Sequence, residues 1–285
     1  MSERVIHTNG VDLCIETFGA PTDPAILLIG GGAASMDWWD EEFCALLAED
    51  RHVIRYDLRD TGRSVSYPAG EPGYTHADLA DDAVGILDAL GIERAHLVGI
   101  SMGGDIAQRV AVEHPERVGA LTLMSTSPGG VGGPGNDLPP MEPKIAESFS
   151  SGDPGPDTST REGLYEAFLL GERLYSGTHP IDEEALRTLS YRVFDRTENV
   201  AASLTNHFAA ASGGEPTRER LGGIKVPTLV LHGTLDPLFP LGHGEALARE
   251  IPGAKLVPLE GVGHQVAPKA LWGLVVGEIR ALETN

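Results

Sequence analysis

Residues 95–104 read AHLVGISMGG, and this stretch decides how the rest of the chain is interpreted. Its first four residues form a run that predicts a buried strand, and residues 105–114 are compatible with a helix. Between the two lies the motif Gly-x-Ser-x-Gly, centred on Ser101. A strand, this motif and a helix in that order are typical of a nucleophile elbow, a sharp turn that exposes a serine hydroxyl at the edge of a sheet.

Gly99 and Gly103 suit such a turn, because a side chain at either position would collide with a neighbouring strand or helix. The following helix would place its N-terminus beside the Ser101 hydroxyl, where its dipole favours developing negative charge. A glycine-rich turn that happens to contain a serine would match the same motif, so the motif alone leaves catalysis open. The flanking strand and helix favour the catalytic interpretation.

The composition predicts one large α/β domain. The chain has 285 residues, of which 41% are hydrophobic and 22% are charged, as is ordinary for a globular protein with a real core. Its formal net charge of −21 argues against nucleic acid and anionic membrane surfaces as partners. We interpret the acidic surface mainly as a source of solubility.

The remaining composition predicts no metal site and no cofactor. Cys14 and Cys44 are too few for a disulfide framework and are predicted to be buried apolar residues. The 10 histidines are scattered, and no Cys/His cluster has zinc spacing. The N-terminus has no apolar signal region and no run approaches a membrane span, so we expect a cytoplasmic location.

Alternating strand and helix patterns predict a mostly parallel sheet of eight strands, flanked by helices on both faces. Asn9-Gly10 is a strong signal for an opening hairpin. The first helical stripe covers residues 38–48, with Trp39, Phe43, Leu46 and Leu47 on one face. The predicted strands span residues 4–8, 11–18, 25–29, 52–56, 95–100, 118–124, 226–232 and 255–258.

The alternation breaks after residue 126, and this predicts a helical insertion before the last two strands. Residues 127–160 are rich in Gly, Pro, Ser and Asp, and three helical patterns follow before Val226. We therefore predict an α/β core of residues 1–126 and 217–285, with residues 127–216 as a cap over the carboxyl edge of the sheet. Whether residues 128–160 form a mobile flap or a long surface loop stays open.

Two further residues follow predicted strands at the same sheet edge as Ser101. A serine hydroxyl needs an adjacent base, and His264 lies in the loop after the last strand. Asp236 follows the preceding strand and can orient that base, which gives the chain order Ser, Asp, His. A turn or helix-capping role for Asp236 and an ordinary loop position for His264 are the alternatives. Residues 125–127, the other place for an acid, contain no carboxylate.

These positions match the α/β-hydrolase superfamily, which the chain resembles over essentially its whole length. The resemblance implies an oxyanion hole in which the backbone N–H of Met102 is one donor. The glycine-rich loop after the third strand would supply the other, and the family pattern assigns it to Gly32. Two departures stand out: Gly30 replaces the histidine that begins this loop in most relatives, and Asp60 replaces a glycine that many relatives have.

The chain also resembles a narrower group, the aclacinomycin methylesterases of anthracycline biosynthesis. The resemblance rests on residues 1–4, on residues 52–64, and on the region from residue 226 through Gly263-His264. It implies a small-molecule substrate, namely a methyl ester on a polycyclic aromatic polyketide. The acyl group of such a substrate would need apolar walls, and the candidates are Trp38, Trp39, Phe168, Tyr175 and Phe208. Packing between cap and core is the alternative role for each of these side chains.

The sequence thus predicts a serine carboxylesterase that needs no cofactor. A carbon–carbon bond hydrolase or a cofactor-free haloperoxidase would use the same three residues. A receptor that binds a small ligand without turnover is a further alternative, which an intact Ser-His-Asp set disfavours. Enzymes of this superfamily with an elbow aspartate are disfavoured by Ser101. Fold alone does not decide among these chemistries.

Overall fold

One eight-stranded sheet organises the molecule in our computed structural model, which describes residues 3–129, 137–153 and 155–282. The strand order is β1-β2-β4-β3-β5-β6-β7-β8. Only the pairs β1·β2 and β2·β4 are antiparallel in the described sheet. This confirms the predicted mostly parallel sheet. The strands are β1 (Arg4–Thr8), β2 (Val11–Phe18), β3 (Ala25–Ile29), β4 (His52–Tyr56), β5 (Ala95–Ile100), β6 (Val118–Met124), β7 (Thr228–Gly233) and β8 (Lys255–Leu259).

Nine α-helices lie in the described part of the chain, and short 3₁₀ turns at Met36–Trp38, Pro115–Arg117, Arg218–Gly223 and Lys269–Leu271 accompany them. The helices are α1 (Glu41–Leu47), α2 (His76–Ala89), α3 (Met102–Glu113), α4 (Pro143–Ser150), α5 (Arg161–Tyr175), α6 (Glu183–Arg196), α7 (Val200–Ala209), α8 (Gly242–Glu250) and α9 (Trp272–Ala281).

The prediction for the first helix was wrong at its start and on part of its face. The helix begins at Glu41, because the Asp40 carboxylate accepts a hydrogen bond from the Glu42 N–H and caps the N-terminus. Trp39 precedes the helix in an extended conformation. Leu46 is exposed, and the buried face consists of Phe43, Cys44 and Leu47.

The predicted hairpin turn is present, and a local capping motif starts α2. Asn9 and Gly10 both have positive φ, 46° and 74°, as a two-residue type I′ hairpin requires. Thr75 and Asp78 form a reciprocal capping box at the start of α2. Both features depend on residues within four positions of one another, so a sequence window contains all the information they need.

Two apolar layers cover the two faces of the sheet. Leu27 and Ile29 of β3 belong to the layer that contains α2, α3 and α8, while Ile26 and Leu28 belong to the layer that contains α1 and α9. Successive residues of a strand point to opposite faces, so a strand buried on both faces must be apolar throughout. All five residues of β3 are buried, as this arrangement demands.

Residues 125–227 connect β6 to β7, and we call them the intervening segment. They contain α4 to α7, whereas residues 130–136 and 154 lie outside the described ranges. The sequence patterns predicted α5, α6 and α7 but missed α4, which lies in the Gly/Pro-rich stretch and buries Ile145. The open question about residues 128–160 concerns this stretch, part of which is not described.

A buried cluster of charges ties α6 of the intervening segment to the sheet. The Arg196 guanidinium donates to Asp57 (2.8 Å), to Asp37 and to Glu3 (2.9 Å). Asp37 and Asp57 side chains are fully buried, so the arginine offsets charge that would otherwise be costly to bury. The cluster holds the intervening segment against the loops that follow β3 and β4.

Candidate active site

Ser101 lies on a strained turn between β5 and α3. Its backbone angles are φ 53° and ψ −119°, an unfavourable region for a residue with a side chain. The turn is held from the neighbouring strand, since the Ser101 N–H donates to the Met124 carbonyl (2.9 Å) and the Thr126 hydroxyl donates to the Ser101 carbonyl (2.7 Å). Helix α3 starts at Met102, three residues before the predicted start, so Ser101 directly precedes its first turn.

The two elbow glycines are required by contact, as predicted. A Cβ on Gly99 would lie 2.1 Å from the Gly103 carbonyl oxygen, and one on Gly103 would lie 2.3 Å from the Ile29 carbonyl oxygen. Both obstacles are backbone atoms, which cannot rotate away. The elbow therefore packs against β3 as closely as the backbone allows.

The structure brings Ser101, His264 and Asp236 into one hydrogen-bonded chain. The Ser101 Oγ lies 3.0 Å from His264 Nε2, and His264 Nδ1 lies 2.9 Å from Asp236 Oδ2. The three residues follow β5, β8 and β7, so the carboxyl ends of three parallel strands bring them to one edge of the sheet. These distances fit a nucleophile, a base and an orienting acid.

Asp236 makes the contacts that both of the alternative roles would require. Its Oδ1 accepts hydrogen bonds from the backbone N–H groups of Leu238 (3.0 Å) and Phe239 (2.8 Å), which makes it a turn residue. Its Oδ2 faces His264. The residue is 2% exposed, so the turn fixes the carboxylate in a place where solvent does not compete for His264.

His232 lies beside Asp236, and its hydrogen bond is to the backbone of the turn that follows β7. Its Nε2 is 2.7 Å from the Phe239 carbonyl oxygen and 3.7 Å from Asp236 Oδ2. Burial lowers the pKa of His232, which favours the neutral ring. A neutral ring must carry its proton on Nε2 to donate to that carbonyl, so His232 holds the turn that contains Asp236.

The C-terminal end of α5 supports the His264 loop. The His264 backbone N–H donates to the Tyr175 carbonyl oxygen (2.8 Å), and the Thr178 N–H donates to Gly261 O (2.8 Å). A Cβ on Gly263 would lie 2.0 Å from the Tyr175 carbonyl oxygen. This contact was not predicted, and the glycines around His264 were the one signal of a close backbone approach.

The loop after β3 passes directly beside Ser101. A Cβ on Gly31 would lie 3.5 Å from the Ser101 Cβ, and one on Gly32 would lie 3.9 Å from the Met102 Sδ. Within the described ranges, neither the Gly32 N–H nor the Met102 N–H donates a hydrogen bond to another residue. Two backbone donors without protein acceptors near a serine hydroxyl are what an oxyanion hole requires.

A cavity of about 220 Å³ opens onto Ser101 and His264. Of the predicted wall residues, Trp38, Trp39, Phe168 and Tyr175 line it, and the rings of Trp38 and Phe168 are 5.2 Å apart. Phe208 does not line it: this side chain is 72% exposed, and its ring lies against Gly32. The helical pattern that predicted α7 does not show which of its faces points to the cavity, so the place of Phe208 could not be read from sequence.

Glu172 also lines this cavity, and the sequence analysis did not identify it. Its carboxylate accepts a hydrogen bond from the Ser176 hydroxyl (2.7 Å), and burial raises its pKa. Among the described residues that line the cavity, none is Lys or Arg. A glutamate on the inner face of an otherwise ordinary amphipathic helix leaves no recognisable signal in sequence.

Neither a metal-binding cluster nor a membrane-spanning helix is present in the described residues. No group of three or more His, Cys, Asp or Glu side chains in these ranges is placed to hold a metal ion. No helix in the part of the chain that the structure describes is long and apolar enough to span a membrane.

The chain is similar over most of its length to several named hydrolases and esterases. The chain is 34% identical to rhodomycin D methylesterase DauP of Streptomyces sp. (strain C5), an alignment that covers 93% of this chain and 92% of that protein. It is 30% identical to 2-hydroxy-6-oxo-6-phenylhexa-2,4-dienoate hydrolase of Comamonas testosteroni, over 93% of this chain and 86% of that one. Its fold matches the esterase RhEst1 from Rhodococcus sp. ECU1013 with a TM-score of 0.74, at 25% identity and with 99% and 100% of the two chains covered.

A family model described as alpha/beta hydrolase fold matches residues 24–268. This match and the methylesterase relatives identify an ester-hydrolysing enzyme and confirm the predicted fold class. The chain belongs to the alpha/beta hydrolase fold family.

Proposed function

We propose that this protein is a serine carboxylesterase in which Ser101 is the nucleophile, His264 the general base and Asp236 the acid that orients it. The observation that carries the proposal is the hydrogen-bonded chain from Ser101 Oγ through His264 to Asp236, with distances of 3.0 Å and 2.9 Å. The strained elbow also supports it. Its backbone conformation costs free energy and persists only because the surrounding structure holds it, and such strained residues cluster at active sites.

In the first half of the reaction, His264 Nε2 takes the Ser101 proton while Oγ attacks the ester carbonyl carbon. The carbonyl π bond opens, and the N–H groups of Gly32 and Met102 stabilise the negative oxygen. The tetrahedral intermediate then collapses, the bond to the alkoxy group breaks, and His264 passes its proton to the leaving alcohol. An acyl-enzyme remains on Ser101.

In the second half, His264 takes a proton from water, and the resulting hydroxide attacks the acyl-enzyme. The bond to Ser101 Oγ breaks, and the proton held by His264 returns to Oγ, so the enzyme is regenerated and a carboxylic acid leaves. Asp236 Oδ2 accepts a hydrogen bond from the His264 Nδ1–H throughout, and the proton stays on the ring. This bond leaves Nε2 free to accept a proton and stabilises the imidazolium.

The proposed substrate is an uncharged methyl ester with an aromatic acyl group of the polyketide type. Two observations support this choice: the substrate named for the methylesterase relatives, and the aromatic walls formed by Trp38, Phe168 and Tyr175. The cavity of about 220 Å³ is below the range of about 300–1,000 Å³ that is typical of drug-sized ligands. We therefore propose that residues 127–216 act as a cap that must shift to admit a polycyclic acyl group.

Hydrolysis of a carbon–carbon bond is the alternative function, and similarity to one of the relatives is consistent with it. The Comamonas testosteroni relative is named for a dienoate, which carries a carboxylate. In this chain, Glu172 lines the cavity, and no Lys or Arg among the described lining residues would pair with an anionic substrate. Like charges repel strongly where water is scarce, so the lining favours a neutral ester.

The proposal is tested by intact-mass labelling with a small fluorophosphonate, on the wild type and on Ser101→Ala. We expect a single adduct on the wild type, no adduct on the variant, and a loss of ester turnover of at least about 10³-fold in the variant. A panel of aryl methyl esters and one dienoate then assigns the substrate class. Turnover retained by Ser101→Ala would overturn the mechanism, and turnover of the dienoate alone would replace the esterase by the alternative hydrolase. A folded wild type without adduct or turnover would favour a receptor.

A further inference from the structure

The loop that would supply the second oxyanion donor contains a strained alanine. The Ala34 N–H donates to the Gly31 carbonyl oxygen (3.2 Å), which closes a four-residue turn with Gly32 and Ala33 at its centre. Ala33 has a φ of 62°, a value that is usual for glycine at the third position of a type II turn. The alternative type I turn differs by rotation of the central Gly32–Ala33 peptide plane. This plane therefore needs an external contact to keep its orientation.

A histidine from α7 provides that contact. The Ala33 N–H donates to His207 Nδ1 (2.9 Å), and His207 Nε2 lies 2.7 Å from the Arg59 carbonyl oxygen. Both partners are backbone groups with fixed roles, so Nδ1 must be the acceptor and Nε2 must carry the proton. Burial lowers the pKa of His207 to about 4, which keeps the ring neutral and Nδ1 able to accept.

The end of α7 that carries His207 is itself fixed by its neighbours. The Asn206 side-chain amide donates to Asp60 Oδ2 (2.9 Å), and Asn206 Oδ1 accepts from the Gly70 N–H (2.7 Å). His207 is 1% exposed, and its carbonyl oxygen lies 2.9 Å from His76 Nε2. The imidazole consequently cannot follow the Ala33 amide if the loop turns.

We propose that His207 is a positioning residue for catalysis: its Nδ1 holds the Gly32–Ala33 peptide so that the neighbouring Gly32 N–H keeps its direction toward the oxyanion. This inference rests on the proposed role of Gly32 in the esterase mechanism. It makes the reaction depend on a residue that lies 174 positions from Ala33 in sequence and belongs to the intervening segment. His207 acts through the loop and touches no reacting atom.

Two replacements of similar polarity separate the two hydrogen bonds of His207. His207→Asn places an amide oxygen near the position of Nδ1, so it can still accept from the Ala33 N–H. His207→Gln places its amide near the position of Nε2, so it keeps the contact with Arg59 and loses the acceptor for Ala33. Thr188→Ala, on the exposed side of α6, is the control, since within the described ranges its hydroxyl donates only to the Glu184 carbonyl one turn earlier.

The experiment measures kcat and KM for p-nitrophenyl acetate, the inhibition constant of an aryl trifluoromethyl ketone, and the melting temperature of each variant. The ketone forms a tetrahedral oxyanion on the serine and therefore reports on the oxyanion hole. For His207→Gln we expect kcat to fall about 10- to 100-fold, with weaker ketone binding by a similar factor and KM within about threefold. For His207→Asn and Thr188→Ala we expect kcat within about fivefold of the wild type.

Equal losses of kcat in the Asn and Gln variants, or a kcat in His207→Gln equal to that of Thr188→Ala, would overturn the inference. Fluorophosphonate labelling of the same proteins identifies a failure of the esterase mechanism separately, because wild-type protein would then form no adduct. In that case the amide resonance of Ala33 in ¹H–¹⁵N spectra decides the inference. We expect it to shift in His207→Gln and to stay near its wild-type position in His207→Asn; an unshifted resonance in His207→Gln overturns the inference.

Discussion

The two carboxylate oxygens of Asp236 have different hydrogen-bond partners. Asp236→Asn should therefore change the contact with His264 and keep the contacts within the turn. The amide oxygen of the variant can still accept the N–H groups of Leu238 and Phe239, but its NH₂ would face His264. The imidazole would then carry its proton on Nε2 and could not accept the proton of Ser101. We expect kcat to fall by about 10³- to 10⁴-fold while the melting temperature changes by a few degrees at most.

Asp157→Asn is the matched control for this prediction. Asp157 also accepts a backbone N–H two residues ahead, that of Ser159, but it lies on an exposed loop. Steady-state kinetics on a p-nitrophenyl ester should show wild-type kcat for this control. A loss smaller than tenfold in Asp236→Asn would contradict the orienting role.

Glu172 is expected to select against anionic acyl groups. Its carboxylate lines the cavity without a Lys or Arg among the other described lining residues, so the wild type should have a higher KM for monomethyl terephthalate than for methyl benzoate. Glu172→Gln keeps the size of the side chain and removes the charge. We expect the ratio of the two KM values to fall at least about threefold in the variant, since one repulsive interaction is lost. An unchanged ratio would show that Glu172 does not contact the acyl group.

At the scale of single elements, the fit between α3 and β3 leaves no room for a side chain at Gly103. A Cβ on Gly103 would lie 2.3 Å and 2.5 Å from the carbonyl oxygens of Ile29 and Gly30. We expect Gly103→Ala to lower the free energy of unfolding by about 2–4 kcal/mol and to reduce kcat, because the displaced backbone carries the proposed oxyanion loop.

Gly277→Ala provides a control of opposite sign. Gly277 lies on the exposed face of α9, and a Cβ there would meet no atom within 4 Å. Alanine loses less backbone entropy than glycine in a helix, so we expect a gain of about 0.5–1 kcal/mol. Urea unfolding measures both variants, and equal effects from the two would contradict the proposed close packing at the elbow.

At the scale of the whole molecule, buried histidines predict a loss of stability in mild acid. Burial lowers the pKa of His96 to about 3 and that of His207 to about 4, while an unfolded histidine has a pKa near 6.5. The unfolded chain therefore binds more protons than the folded chain between these values. Stability from this source is complete above about pH 6.5 and is lost as the pH falls, by at most about 1.4 kcal/mol per pH unit for each histidine.

The prediction is checked by measuring the free energy of unfolding in urea at pH 7, 6 and 5. His96→Gln removes one of the titrating groups and should make the dependence on pH shallower in that range. His7→Gln is the control, because His7 lies on the exposed edge strand and pairs with Asp12 near the surface. The same slope in His96→Gln and the wild type would contradict the assignment of this proton uptake to His96.

The sheet and the order of the site residues could be predicted because they depend on local patterns. Eight strands and most helices could be predicted from apolar runs of strand length and from apolar residues at helical spacing. Both patterns are complete within short stretches of sequence. The elbow could be predicted from Gly99, Ser101 and Gly103, because its steric requirements concern five consecutive residues. Parallel strands then bring the loops after β5, β7 and β8 to one edge, so the candidate site could be assembled from topology alone.

The tertiary structure alone decided which side chains of the intervening segment approach the site. Phe208 was expected in the cavity and is exposed, whereas Glu172 was not expected there and lines it. His207 accepts a hydrogen bond from Ala33, and the Tyr175 carbonyl accepts one from His264. The residues of each pair are too far apart in sequence for a local pattern to predict the contact. The physical reason is that an amphipathic helix specifies which of its faces is apolar but not its rotation and position over a distant loop. Those are set by the packing of all its neighbours at once.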